Sequence, residues 1–125
     1  MSDSAPTRRG GLTRSSEVIV EPQPWGRLEW MVSDRLGNSI VLTVGKCFID
    51  PGQQNPPHLH PNSDEVLHVL RGTIEHRVGD ERFPMGPGDT ISIPLGTVHN
   101  ARNVGDEQAE FVIVFDTATR EAVGE

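Results

Sequence analysis

Tyrosine is absent from this chain of 125 residues, and cysteine and lysine occur once each. The missing phenol removes every mechanism that needs a tyrosine acid, base or radical. A single cysteine, Cys47, cannot form an intrachain disulfide and fits a reducing compartment. It reads as a small buried strand residue. Schiff-base chemistry would fall on Lys46, and nothing around that lysine recommends the role. Long apolar runs are lacking as well. No segment approaches a transmembrane helix, and no apolar stretch follows the basic N-terminus as a secretory signal requires. A cytoplasmic location without a membrane partner is therefore expected. Positive charge is sparse and dispersed: the formal net charge is −7, and the basic residues beyond the N-terminus stand singly between acids. A nucleic-acid binder needs a concentrated basic face, so nucleic acid is excluded as a main partner.

What the chain has in plenty is punctuation. Thirteen glycines and ten prolines cut it into short pieces, and no window sustains a helical period. Residues 17–21, 27–33, 40–49, 66–71, 73–78, 90–93 and 110–115 are rich in Val, Ile, Leu, Phe or Thr between turn residues, and read as strands. Gly79 and Asp80 read as a tight turn, with further reversals at residues 50–52, 86–89 and 104–107. Many short strands between Gly/Pro turns predict an all-β sandwich or barrel. The length fits one domain. Residues 1–16, with three Arg, two Gly and four Ser, read as a flexible arm too polar to bury. Residues 17–116 read as a single barrel domain and residues 117–125 as a C-terminal tail. The polar segment from Asp116 onward could form a frayed turn of helix.

Chemistry-bearing side chains concentrate in two stretches, residues 52–72 and 88–103. Together they offer His58, His60, Glu65 and His99, three imidazoles and a carboxylate. That is a ligand set for a divalent metal such as Fe, Mn, Ni, Co or Zn. On a strand His58 and His60 project to the same face. His99 would arrive from a distant strand, so a metal would cross-link elements far apart in sequence.

The first stretch fits G-x5-H-x-H-x4-E-x6-G and the second fits G-x5-P-x-G-x2-H-x3-N. In both, the chain resembles the cupin superfamily, without a gap or a substitution, over roughly residues 40–115. The resemblance implies a small jelly-roll β-barrel (a double-stranded β-helix) whose first motif supplies two histidines and a glutamate and whose second supplies one histidine. It selects Glu65 over its neighbour Asp64, which reads as a solvated or dimer-facing charge or a partner behind the ligands. Such a site leaves two positions of an octahedral ion open. The only cofactor expected is one divalent transition-metal ion. Gly52, Gly72, Gly88, Gly96 and Pro94 are turn chemistry that positions the site.

Alternation sorts the remaining residues. With Glu65 inward, Leu67 and Val69 follow it, and Val66, His68 and Leu70 face outward. His68 then reads as a core or interface histidine. Ile74, His76 and Val78 share a face, which sends His76 into a buried layer as a substrate-contacting acid or base, a partner to the ligands, or a hydrogen-bonded core histidine. Gln53, Gln54 and Asn55 either reach the barrel mouth or form a solvated loop. Trp25, Trp30, Met31 and Phe48 either wall a pocket or are plain core. Arg27 and Glu29 face solvent or anchor an anionic substrate.

The resemblance implies a metal-dependent enzyme acting on a small organic molecule, with Glu65 able to leave the metal and act as a base; alternation adds His76 as the second candidate catalytic residue. Cupins with this ligand set include quercetinase-like and acireductone-type dioxygenases and oxalate-degrading enzymes, so dioxygenase or other oxidoreductase chemistry is the leading expectation. A non-redox isomerase, lyase or cyclase, or a non-catalytic barrel that holds a small molecule, are the alternatives. The apolar outer face of residues 66–70 needs cover, which residues 17–33 could supply in cis or from a second chain, and a homodimer is expected.

Overall fold

The computed structural model describes residues 11–124. A turn of 3-10 helix at Ser15–Glu17 precedes the first strand. In chain order the strands are β1 (Ile19–Gln23), β2 (Gly26–Val32), β3 (Thr43–Ile49), β4 (His58–Leu59), β5 (Glu65–Arg71), β6 (Ile74–Val78), β7 (Glu81–Met85), β8 (Thr90–Ile93), β9 (His99–Asn103), β10 (Ala109–Phe115) and β11 (Val123–Gly124). Their order is β1-β2-β3-β10-β5-β8 in one sheet and β11-β4-β9-β6-β7 in the other. Every pairing is antiparallel. The expected all-β jelly-roll is the architecture found. No helix among the described residues is long and apolar enough to cross a membrane.

Period-two alternation builds the core between the sheets. Along β10 Ala109, Phe111, Ile113 and Phe115 are buried while Glu110, Val112 and Val114 are half-buried. Along β5 Glu65, Leu67 and Val69 point in, and Val66 and Leu70 remain 40% and 42% exposed. Ile49 and Ile74 complete the layer with Met85 and Ile93. Each fully buried Leu, Ile or Phe contributes about 1.5–3 kcal/mol through lost apolar surface. Gly72 ends β5 at φ +86°, and a Cβ there would stand 2.8 Å from Ala109 Cα. Only glycine accepts both the left-handed backbone and that approach.

Four expectations need correction. Residues 40–42 are apolar but lie outside β3, with Ile40 88% exposed. The Ser39 hydroxyl accepts hydrogen bonds from the Val41 and Leu42 amides at 3.1 and 3.0 Å, which holds them in a turn instead of a ladder. β7 and β9 escaped the strand reading because they carry few β-branched residues. Buried His99, Asn100 and Asn103 make β9 a polar core strand. Residues 116–124 form no helix and end in β11. The N-terminal strands extend the edge of the large sheet beside β3, so they do not cover the outer face of β5 in cis.

Residues 1–10 of the expected arm lie outside the described residues. Thr13 Oγ1 donates to the Met31 carbonyl at 2.8 Å, and Asn38 Nδ2 donates to the Gly11 carbonyl at 3.2 Å, so the last residues of that segment lie against β2.

Candidate metal centre

Prolines shape the H-x-H stretch. Pro56 and Pro57 favour extended backbone before His58, and Pro61 lacks the amide that would carry β4 onward. His58 pairs in register with His99 of β9, and Val78 of β6 flanks His99 on its other side. Glu65 comes from the opposite sheet, where it pairs with Phe115 and Ile93. The turn at residues 94–97 that delivers His99 is pinned to the first stretch twice. Gly96 N–H donates to the His60 carbonyl at 2.9 Å, and Leu95 N–H donates to Asp64 Oδ1 at 2.8 Å. Asp64 therefore ties the two motif loops together.

The three imidazoles converge. Ring centroids stand 4.4 Å apart for His58 and His99, 4.9 Å for His58 and His60, and 5.0 Å for His60 and His99. One donor atom from each lies within 4.8 Å of the others. Glu65 stands against two of the three, its Oε1 being 3.2 Å from His60 Nε2 and 3.0 Å from His99 Nε2.

Backbone carbonyls select the tautomers. His58 Nδ1 faces the Pro56 carbonyl at 2.8 Å, His60 Nδ1 the Glu121 carbonyl at 2.7 Å, and His99 Nδ1 the Thr97 carbonyl at 2.8 Å. A carbonyl only accepts, so each Nδ1 carries a proton and each neutral ring turns an Nε2 lone pair inward. His60 Nε2, His99 Nε2 and Glu65 Oε1 are buried without a hydrogen-bond partner. Their short separations are thus ion-pair distances without hydrogen-bond geometry. Acceptors facing one another in a dry site call for a cation between them. The residues present fit a divalent metal, with carbonyls orienting the ligand rings from behind.

Without a metal, the buried groups shift one another's protonation. Burial pushes His58 down to about 4, with the Pro56 carbonyl opposing. Burial acts to raise Glu65, but the His60 and His99 imidazoles outweigh it and bring the carboxyl to about 2. Burial acts to lower His99, and the adjacent Glu65 carboxylate outweighs it, leaving the imidazole above its ordinary value.

The cluster opens into a cavity of about 230 Å³. Leu28, Leu67, Ala101, Phe111 and Ile113 form apolar walls. His76 lines it as well, 1% exposed, with its ring centroid 5.9 Å from that of His99 and its Nδ1 without a partner. Burial lowers His76 to about 4 despite the charge of Glu65. His68 lies on the outer face, 2.7 Å from Thr90 Oγ1, away from the cluster. Trp25 and Asn55 border the cavity, whereas Phe48 lies under the Arg27 guanidinium at 3.7 Å. Arg27 itself pairs with Glu29 at 2.7 Å. Cys47 is buried and free at the cavity wall, its thiol pushed up by burial first and by Glu65 second.

Sequence reasoning missed the C-terminal segment. Beyond Phe115 the chain crosses back over the barrel. Thr43 Oγ1 donates to the Thr117 carbonyl at 2.7 Å, and the Asp34 amide donates to the Ala118 carbonyl at 3.0 Å. Asn62 Nδ2 donates to the Thr119 carbonyl at 2.9 Å, and Asn62 Oδ1 accepts from the Glu121 amide at 3.1 Å. That course brings the Glu121 carbonyl to His60 and carries Arg120, Ala122 and Gly124 into the cavity lining. No motif marked these residues; an arginine in a tail of polar residues was the one visible sign.

The fold is an antiparallel double-sheet β-barrel in which three imidazoles that could hold a metal ion converge beside a carboxylate. The chain belongs to the cupin family: the family model described as "Cupin domain" matches residues 45–115. Polyketide synthase CurC of Streptomyces cyaneus is 36% identical over 69 residues, 55% of this chain and 45% of that one. Germin-like protein subfamily 2 member 1 of Arabidopsis thaliana is 30% identical over 87 residues, 64% of this chain and 39% of that one. The chain thus spans less than half the length of these curated relatives. Among solved structures, the formate complex of Lactobacillus farciminis oxalate decarboxylase superposes with a TM-score of 0.81 at 22% identity. It covers 87% of this chain and 34% of that one.

Proposed function

We propose that this cupin is a metal-dependent enzyme with dioxygenase-type or other oxidoreductase chemistry on a small organic molecule, its metal held by His58, His60, Glu65 and His99. The observation that carries the reading is the set of buried, partnerless acceptors His60 Nε2, His99 Nε2 and Glu65 Oε1, facing one another beside an apolar cavity. A bound divalent ion would supply Lewis-acid chemistry and, if redox-active, electron transfer at its open positions. Mn is one candidate ion, and the fold neighbour from Bacillus subtilis, an oxalate decarboxylase, has Mn(II) centres. The remaining roles fall to the chain. The Pro56, Thr97 and Glu121 carbonyls orient the rings, and Leu67, Phe111 and Ile113 exclude water. His76, neutral near pH 7, offers an unpartnered ring nitrogen to accept or return a substrate proton. Glu65 is a weak base while it faces two imidazoles, and turning away from them would restore its basicity.

The identity to polyketide synthase CurC favours a second reading, in which the metal polarises a carbonyl and no oxidation occurs. Metal analysis of the purified protein, followed by oxygen uptake over catechols, flavonols and diketones, separates the two. Oxygen consumed with substrate supports the first reading. Substrate converted without oxygen supports the second. A His99→Ala variant that loses its metal yet keeps all activity removes the metal-centred reading altogether. The same reading includes a cytoplasmic homodimer, supported by the lone reduced Cys47 and the exposed Val66 and Leu70.

A further inference from the structure

Among the described residues Arg120 is the one arginine that lines the cavity beside the imidazole cluster, and it lies outside the stretch matched by the family model. Its guanidinium carbon lies 4.7 Å over the Trp30 ring and 5.3 Å from the Phe115 ring centroid. Phe115 also packs edge-on against His60, with ring centroids 4.9 Å apart, so one aromatic ring touches both the arginine and a candidate metal ligand. Arginine Nε is buried without a hydrogen-bond partner. No carboxylate comes within ion-pair distance of the guanidinium among the described residues. Glu21, which also lines the cavity, is engaged elsewhere: its Oε1 accepts from Trp30 Nε1 at 3.1 Å and its Oε2 from Gln23 Nε2 at 2.8 Å.

Such a group is costly to leave as it stands. An arginine stays charged, and although Arg120 is only partly buried, its Nε is a donor cut off from solvent without an acceptor, which is destabilising unless something fills it. Stacking on Trp30 and Phe115 offsets part of that cost and fixes the plane of the fork. The backbone around it is fixed too, because Thr119 and Glu121 on either side are both tied to the Asn62 side chain. A planar, pre-oriented guanidinium matches a carboxylate with two parallel hydrogen bonds.

We propose that Arg120 is the anion-binding residue of this cavity and that the substrate is a small organic carboxylate, gripped by Arg120 at one end and presented to the metal centre at the other. The second contact rests on the metal-centre reading above; the first does not. The fork, the aromatic stack and the apolar walls together select a carboxylate on a short, mostly apolar body over a neutral molecule of the same shape. Arg120 also borders a second depression of about 250 Å³ that contains Arg35, which is the competing place for an anion.

The test uses the full chain, both loaded with Mn²⁺ and stripped of metal. Acetate, pyruvate and benzoate are titrated against acetamide, pyruvamide and benzamide, with binding read by calorimetry and by tryptophan fluorescence, since Trp30 lies beneath the guanidinium. Carboxylates are expected to bind at least about tenfold more tightly than the matching amides. Arg120→Gln is expected to erase that preference with metal content unchanged. Arg120→Lys keeps the charge, serves if the Gln variant fails to fold, and is expected to weaken binding because the planar fork is gone. Arg35→Gln should bind carboxylates as the wild type does. Equal affinity for carboxylates and amides, undiminished carboxylate binding in Arg120→Gln or Arg120→Lys, or loss of binding in Arg35→Gln would each overturn the assignment. Carboxylate binding that survives in His99→Ala and disappears in Arg120→Gln supports it even where the metal reading fails.

Discussion

Replacing His76 with leucine isolates the electrostatic consequence of placing an imidazole beside the cluster. His76 is buried, its Nδ1 has no partner, and burial holds its folded pKa near 4, against an ordinary value of 6.5. The folded state therefore binds this proton less readily than the unfolded chain. The stability at stake is fully present above about pH 6.5 and is lost as the pH falls toward 4. Between about pH 7 and pH 4.5 the metal-stripped wild type should lose roughly 2–3 kcal/mol through this one group. Glu65, held at about 2, loses its contribution in a lower window, below its ordinary 4.5. His99, shifted upward, acts in the opposite sense, and it is common to both proteins. The comparison of wild type with His76→Leu thus removes these shared contributions. Urea denaturation followed by tryptophan fluorescence at the two pH values measures the difference. The leucine variant should match the wild type within about 1 kcal/mol near neutrality and exceed it by roughly 2–3 kcal/mol in acid. Equal acid losses in the two proteins would refute a buried, neutral His76.

Divalent metal added to the stripped protein at about 100-fold its Kd should stabilise it by roughly 3 kcal/mol, and His99→Ala should abolish the gain in a thermal melt. Phe111→Ala, which empties a fully buried site between the sheets, should cost about 3–5 kcal/mol in a denaturant titration. For Gly72→Ala the left-handed φ and the 2.8 Å approach to Ala109 Cα predict a loss of at least about 1 kcal/mol, visible as a lower midpoint with an unchanged slope. Light scattering should report a dimer for the wild type and a smaller particle for Val66→Glu; a monomeric wild type contradicts the use of the outer β5 face.

Local sequence determined the parts that local physics controls. Alternation in residues 65–69 placed Leu67 and Val69 inward, because a strand sends successive side chains to opposite faces wherever it pairs. Motif spacing selected His58, His60, Glu65 and His99, and the alternation argument sent His68 outward and His76 inward, which is where they lie. Tertiary structure decided what depends on partners distant in sequence. Ser39 capturing the Val41 and Leu42 amides ended the apolar run at residues 40–42, and no hydropathy pattern encodes that competition. Polar β9 became a buried strand because β4 and β6 flank it on both edges. Asp64 acquired its role only when the turn carrying Leu95 folded back against it. The return of the C-terminal segment across the barrel set the Glu121 carbonyl on His60 and Arg120 over Trp30. Those contacts join residues 61 and 90 positions apart, and a chain closes loops of that length only where the packed whole compensates the lost entropy.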